Sequence, residues 1–129
     1  MRIEHVAIWT KDIERLRSFY ETYFQAITGP RYVNERKQFT SYFLSFASGA
    51  RLELMVKPQV VPSNGNADSP PTGYAHLALS VGSREAVDAM AERFRREGHP
   101  VVDGPRQTGD GYYECVVLDP DGNRIEITV

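Results

Sequence analysis

Four short runs of the chain share one pattern, a histidine or glutamate with apolar neighbours on both sides. They are IEHVAIW (3–9), RLELMV (51–56), YAHLALSV (74–81) and RIEITV (124–129). Alternation of this kind predicts strands, because successive side chains of an extended chain point to opposite faces. Val6 and Ile8 then face one way, and His5, Ala7 and Trp9 the other. Leu52 and Leu54 flank Glu53, Leu77 and Leu79 oppose His76 and Ala78, and Ile125 and Ile127 flank Glu126. Elsewhere the apolar spacing becomes helical. Ile13, Leu16, Tyr20 and Phe24 predict a helix over 13–24 with Asp12 as its N-cap. Val87, Met90, Ala91 and Phe94 predict a second over 84–97, capped by Ser83 and ended by Gly98. Arg93, Arg95 and Arg96 suit the negative end of that helix. Residues 31–36, 39–47, 101–106 and 112–118 read as further strands. Asp119-Pro120-Asp121-Gly122 places proline and glycine where a type I turn accepts them.

The pattern repeats. His5-Val-Ala-Ile matches His76-Leu-Ala-Leu at an offset of 71, and Gly49-Ala-Arg-Leu-Glu-Leu matches Gly122-Asn-Arg-Ile-Glu-Ile at an offset of 73. Two matches in the same order at nearly one offset predict two related modules. Module one spans 1–57 and module two 74–129. Residues 58–73, with four prolines, form a linker long enough to cover a site. Related modules place the two His strands, and the two Glu strands, in equivalent positions, where one centre can receive all four side chains.

Composition narrows the picture. The chain has 129 residues, 41% hydrophobic and 25% charged, ordinary for a globular protein. A formal charge of −2 argues against nucleic acid as a partner. No run reaches the ~20 apolar residues of a membrane span. The opening MRIEHVAIW lacks the pattern of a secretory signal, and the single Cys115 has no internal disulfide partner. Both predict a cytoplasmic protein with Cys115 as a small core residue. His99, in a turn before Pro100, reads as exposed and not a ligand.

The candidate chemistry is the set His5, Glu53, His76 and Glu126. Two imidazoles and two carboxylates suit a divalent transition metal. There is no GxGxxG, phosphate loop, GxSxG or paired CxxC to suggest another reaction.

The element order βαβββ occurs twice. With FYETYF (19–24), the paired His and Glu strands, and DPDGNRIEI (119–127), it resembles the vicinal oxygen chelate superfamily. That superfamily holds glyoxalase I, extradiol dioxygenases, methylmalonyl-CoA epimerase and fosfomycin-resistance enzymes. The resemblance implies an α+β fold of two tandem βαβββ modules, with a curled mixed sheet around a metal cleft, and a homodimer. The four-residue set is most similar to that of bacterial glyoxalase I (lactoylglutathione lyase). It implies metal ligation by His5, Glu53, His76 and Glu126, and nickel first, with zinc, cobalt or iron(II) as alternatives. It further implies a small-molecule substrate, the hemithioacetal of a 2-oxoaldehyde and a thiol, isomerised by enediolate proton transfer with Glu126, then Glu53, as base. Two positions depart from the pattern that holds glutathione: Trp9 stands where those enzymes have arginine, and Lys57 where they have asparagine. A ring-cleaving Fe(II) dioxygenase, using His5, His76 and Glu126, is the alternative enzyme. A non-catalytic binding or resistance protein, with Trp9 and the aromatics of 39–46 lining an apolar pocket, is the third reading.

Overall fold

The structure, a computed structural model, describes residues 1–62, 70 and 72–129. It divides into two compact units, Met1–Ser63 and Asn64–Val129. Most of the expected linker, and with it the covering role read there, lies outside the described residues.

The first unit runs β1 (His5–Trp9), α1 (Ile13–Phe24), β2 (Ile27–Thr28), β3 (Tyr32–Asn34), a 3-10 turn (Glu35–Lys37), β4 (Phe39–Ser45) and β5 (Arg51–Val56). Its sheet has the order β1-β5-β4-β2, with β3 also paired to β4. β1 lies parallel to β5, and β4 antiparallel to it. The second unit runs β6 (Leu77–Ser80), α2 (Arg84–Arg96), β7 (Val101–Gln107), β8 (Tyr113–Leu118) and β9 (Arg124–Thr128), in the order β6-β9-β8-β7. β6 is parallel to β9, and the remaining pairs are antiparallel. Each unit is therefore a mixed sheet with one helix, and the fold class is α+β.

Each helix covers the apolar face of its own sheet. Asp12 accepts a hydrogen bond from the Arg15 amide, and α1 buries Ile13, Leu16, Phe19 and Tyr20. Leu44, Leu52 and Leu54, all fully buried, meet it from β4 and β5. Ser83 accepts from the Ala86 amide, and α2 buries Val87, Ala91 and Phe94 against Cys115, Val117, Ile125 and Ile127. With the apolar positions turned to the helices, the alternate positions of the same strands are left on the opposite face. That face carries His5, Glu53 and Glu126.

Several expectations shift. β2 was not anticipated; it is two residues long and held by β4, with the Gly29 amide donating to the Phe43 carbonyl. The strand expected over 31–36 stops at Asn34, whose side chain accepts from the Lys37 amide and starts the 3-10 turn. The run 74–81 pairs only over Leu77–Ser80, so His76 immediately precedes its strand. Phe19 takes the buried place expected of Phe24, which is half-buried. His99 is half-buried, its ring edge-on to Phe94 at 5.6 Å, where the sequence suggested exposure. Cys115 is a core residue, and burial pushes its thiol up to about 11.

Gly104 is the tightest point of the second sheet. Its φ is +73°, and a Cβ there would lie 2.5 Å from the Glu114 carbonyl oxygen and 3.0 Å from Cys115 Cα. Both obstacles are backbone. Gly104→Ala should therefore cost about 3 kcal/mol or more in denaturant unfolding. Gly49→Ala has a similar φ, +88°, but open space around it, and should cost only about 1 kcal/mol. The Cys115 thiol should stay inert to a thiol-modifying reagent in native protein and react once per chain after denaturation.

Candidate metal centre

In the first unit the β1–β5 register pairs His5 with Arg51 and Ala7 with Glu53. His5 and Glu53 are thus diagonal neighbours on the face away from α1. The residue directly opposite Glu53 is an alanine, so no bulk stands between the imidazole and the carboxylate. His5 Nε2 lies 3.9 Å from a Glu53 carboxylate oxygen. Phe43, directly opposite Glu53 on β4, meets the His5 ring edge-on at 5.3 Å.

The second unit repeats this. Ala78 is paired with Glu126, and His76 lies two residues before Ala78. His76 Nε2 is 3.2 Å from a Glu126 carboxylate oxygen. The same diagonal, with the same small residue beside the glutamate, occurs in both units.

His5 is further braced. Its Nδ1 lies at hydrogen-bond distance from Glu4, 2.6 Å, and the Arg51 Nε donates to Glu4 at 2.8 Å. The Glu4 carboxyl is held below its usual range, first by His5 and then by Arg51. A carboxylate on one ring nitrogen leaves the other as the available donor, the arrangement common to metal-binding histidines. The donor chemistry thus fits a divalent ion: an imidazole Nε2 facing a carboxylate, twice. Each pair, His5 with Glu53 in the first unit and His76 with Glu126 in the second, offers such an ion two donors. Among the described residues no three His, Cys, Asp or Glu side chains gather at metal-binding distances, so the structure brings these residues together as two pairs.

One neighbour escaped the sequence reading. Glu114 on β8 is two residues from Val116, the residue paired with Glu126, and so shares Glu126's face. Its side chain is only 12% exposed, and Arg106, its partner on β7, lies 3.9 Å away. Arg106 is itself gripped by Asp103, at 2.6–3.1 Å. Burial raises the Glu114 carboxyl above its ordinary range, Glu126 adds to this, and Arg106 opposes it. The available signal was a charged residue inside an otherwise apolar strand. Its partner could not be read, because the β7–β8 register shifts twice between Val101 and Arg106.

The comparisons agree with this architecture. The family model described as Glyoxalase/Bleomycin resistance protein/Dioxygenase superfamily matches residues 2–127. The uncharacterized protein PA2024 of Pseudomonas aeruginosa is 30% identical over 131 residues, covering 98% of this chain and 86% of that protein. The trypanothione-dependent glyoxalase I of Leishmania major superposes with a TM-score of 0.77 at 23% identity, covering 99% of this chain and 86% of that one. Glyoxalase I from Zea mays superposes with a TM-score of 0.79 at 22% identity; it covers 98% of this chain, which spans 44% of the maize chain. At these identities the structural likeness speaks for the fold.

Two predictions follow from the geometry. Ala7→Leu or Ala78→Leu puts a branched side chain beside a paired glutamate. Both alanines are exposed, so the fold should survive by circular dichroism while affinity for a divalent ion falls at least about tenfold. Ala→Ser at either place should change affinity little. For Glu114 the raised carboxyl means that ionisation is disfavoured in the fold. Stability is therefore lost as pH rises through and above the ordinary glutamate range. Metal-free Glu114→Gln should melt higher than the parent at pH 7, and the gap should close below pH ~4. An equal gap at both pH values would contradict this. The family match over nearly the whole chain, together with the repeated α+β units, makes this chain a member of the glyoxalase/bleomycin resistance protein/dioxygenase superfamily.

Proposed function

We propose that the chain is a divalent-metal-dependent lyase of the glyoxalase I kind, with His5, Glu53, His76 and Glu126 as its metal ligands. What supports this reading is that both His–Glu pairs occupy one diagonal register on like parallel strand pairs, in a family that contains glyoxalases. A pair held only for packing has no reason to recur with the same donors and the same adjacent alanine.

A divalent ion at these donors supplies Lewis acidity, and nickel is the first candidate, ahead of zinc, cobalt and iron(II). The protein's own part is proton movement. A carboxylate beside the substrate takes a proton from one carbon and returns it to the next, with Glu126 the first choice of base and Glu53 the second. Phe43, edge-on to His5 and opposite Glu53 on β4, walls one side of the first pair. The same reading takes the chain as a cytoplasmic homodimer acting on a small molecule, with a 2-oxoaldehyde–thiol hemithioacetal as its substrate.

The test is calorimetric titration of metal-stripped protein with Ni²⁺, Zn²⁺ and Fe²⁺, followed by turnover of the methylglyoxal–glutathione hemithioacetal. One ion per chain is expected, with affinity lowered at least about 100-fold in His5→Ala and in His76→Ala. Glu126→Gln should retain the fold and lose about three orders of magnitude in turnover. Two ions per chain, or parental turnover in both Glu126→Gln and Glu53→Gln, would overturn the reading.

A further inference from the structure

Four side chains close a circuit around His5. Adjacent residues of a strand point to opposite faces, but β1 begins at His5 and Glu4 lies just outside it. The Arg51 amide donates to the Glu4 carbonyl at 3.0 Å, beside the pairing of Arg51 with His5. The Arg51 side chain takes one oxygen of the Glu4 carboxylate, Oε1, through Nε at 2.8 Å and through Nη2. The other oxygen, Oε2, is left to His5 Nδ1 at 2.6 Å. The Arg51 guanidinium also lies over Phe43, 4.1 Å from the centre of its ring, and that ring meets His5 edge-on at 5.3 Å. Each of the four side chains thus meets two of the others.

The fold does not require this circuit, because the second unit forms without it. The offset of 73 puts Arg124 at the place of Arg51, but Ala75 precedes His76. Val116 stands opposite Glu126 where Phe43 stands opposite Glu53. Stability does not account for it either. The Glu4 and Arg51 side chains are 52% and 40% exposed, and a half-exposed ion pair adds little. What the circuit does fix is an imidazole. Hydrogen bonds to a histidine ring decide which nitrogen carries its proton, and a carboxylate at Nδ1 accepts a proton there.

We infer that Glu4, clamped by Arg51, is a positioning residue that keeps the His5 proton on Nδ1 and turns the Nε2 lone pair toward Glu53. The geometry of the circuit carries that statement by itself. Its consequence, tighter binding of a divalent ion at His5 and Glu53, rests on the metal-dependent reading above. Glu4→Gln separates orientation from mere occupancy. Its amide oxygen stays with Arg51, because the guanidinium repels the amide NH₂. The NH₂ then faces Nδ1 and drives the ring proton to Nε2, the nitrogen an ion needs. The variant keeps the shape of the parent and reverses the hydrogen bond.

The first readout is a long-range proton–nitrogen correlation spectrum of metal-free, full-length chain at about pH 9, above the ordinary histidine range. The chain has three histidines, so His76 and His99 serve as internal controls. His5 should carry its proton on Nδ1 in the parent and on Nε2 in Glu4→Gln, with the other two rings unchanged and circular dichroism retained. A parent proton on Nε2, or the parental pattern in Glu4→Gln, would overturn the inference. The second readout is calorimetric titration with Zn²⁺. Glu4→Gln should weaken binding at least about tenfold. Arg51→Lys, which keeps the charge and loses the planar fork, should weaken it too. Neither should add to the loss in His5→Ala. Parental affinity in Glu4→Gln, or an equal loss with and without His5, would overturn the positioning role. No saturable Zn²⁺ binding by the parent, with its Nδ1 proton in place, would count against the lyase reading and leave the brace standing.

Discussion

Both His–Glu pairs depend on a parallel strand pair, β1 with β5 and β6 with β9. Parallel pairing needs a crossover, and in each unit the helix and the intervening strands supply it. The register of each pair decides which side chains meet. A slip of one residue would turn His5 or Glu53 toward α1 and expose Leu52 and Leu54 to water. The hydrophobic cores under α1 and α2 therefore hold the donor pairs in place, although they touch neither. Burying four or more large apolar side chains per unit, at about 1.5–3 kcal/mol each, makes a slipped register far too costly to populate.

Much of this was legible in the sequence. Alternation located the four donor strands, helical spacing located α1 and α2, and Asp12, Ser83 and Gly98 marked their ends. The signals that failed were those that depend on a neighbour in space. β2 is only two residues long and exists because β4 accepts it, so no local pattern announces it. Asn34 turned a strand into a 3-10 cap by a side-chain hydrogen bond that outweighed the β-forming residues before it. His76 falls just outside its strand because pairing with β9 begins at Leu77.

The site divides in the same way. His5, Glu53, His76 and Glu126 could be singled out from repetition, and their pairing within each unit follows from the register. Glu114 and Arg106 could not. They meet across β7 and β8 after two register shifts around Gly104, and bulges of that kind redirect side chains in a manner no periodicity predicts. Trp9 and Lys57 were visible as departures from a known pattern. Only the structure shows the Lys57 ammonium 4.6 Å from the centre of the Trp9 ring.

The repeat is imperfect in one respect that matters. His5 is gripped through Glu4 by Arg51, its own cross-strand partner, whereas His76 faces Glu126 at 3.2 Å and also interacts electrostatically with Glu114. The Glu4 carboxylate therefore orients the His5 ring before a ligand arrives. Ala75 stands before His76 where Glu4 stands before His5, so that brace is not repeated. Two imidazoles that look equivalent along the chain thus differ in readiness. One is set by the residue just before it, and the other relies on the glutamate it faces.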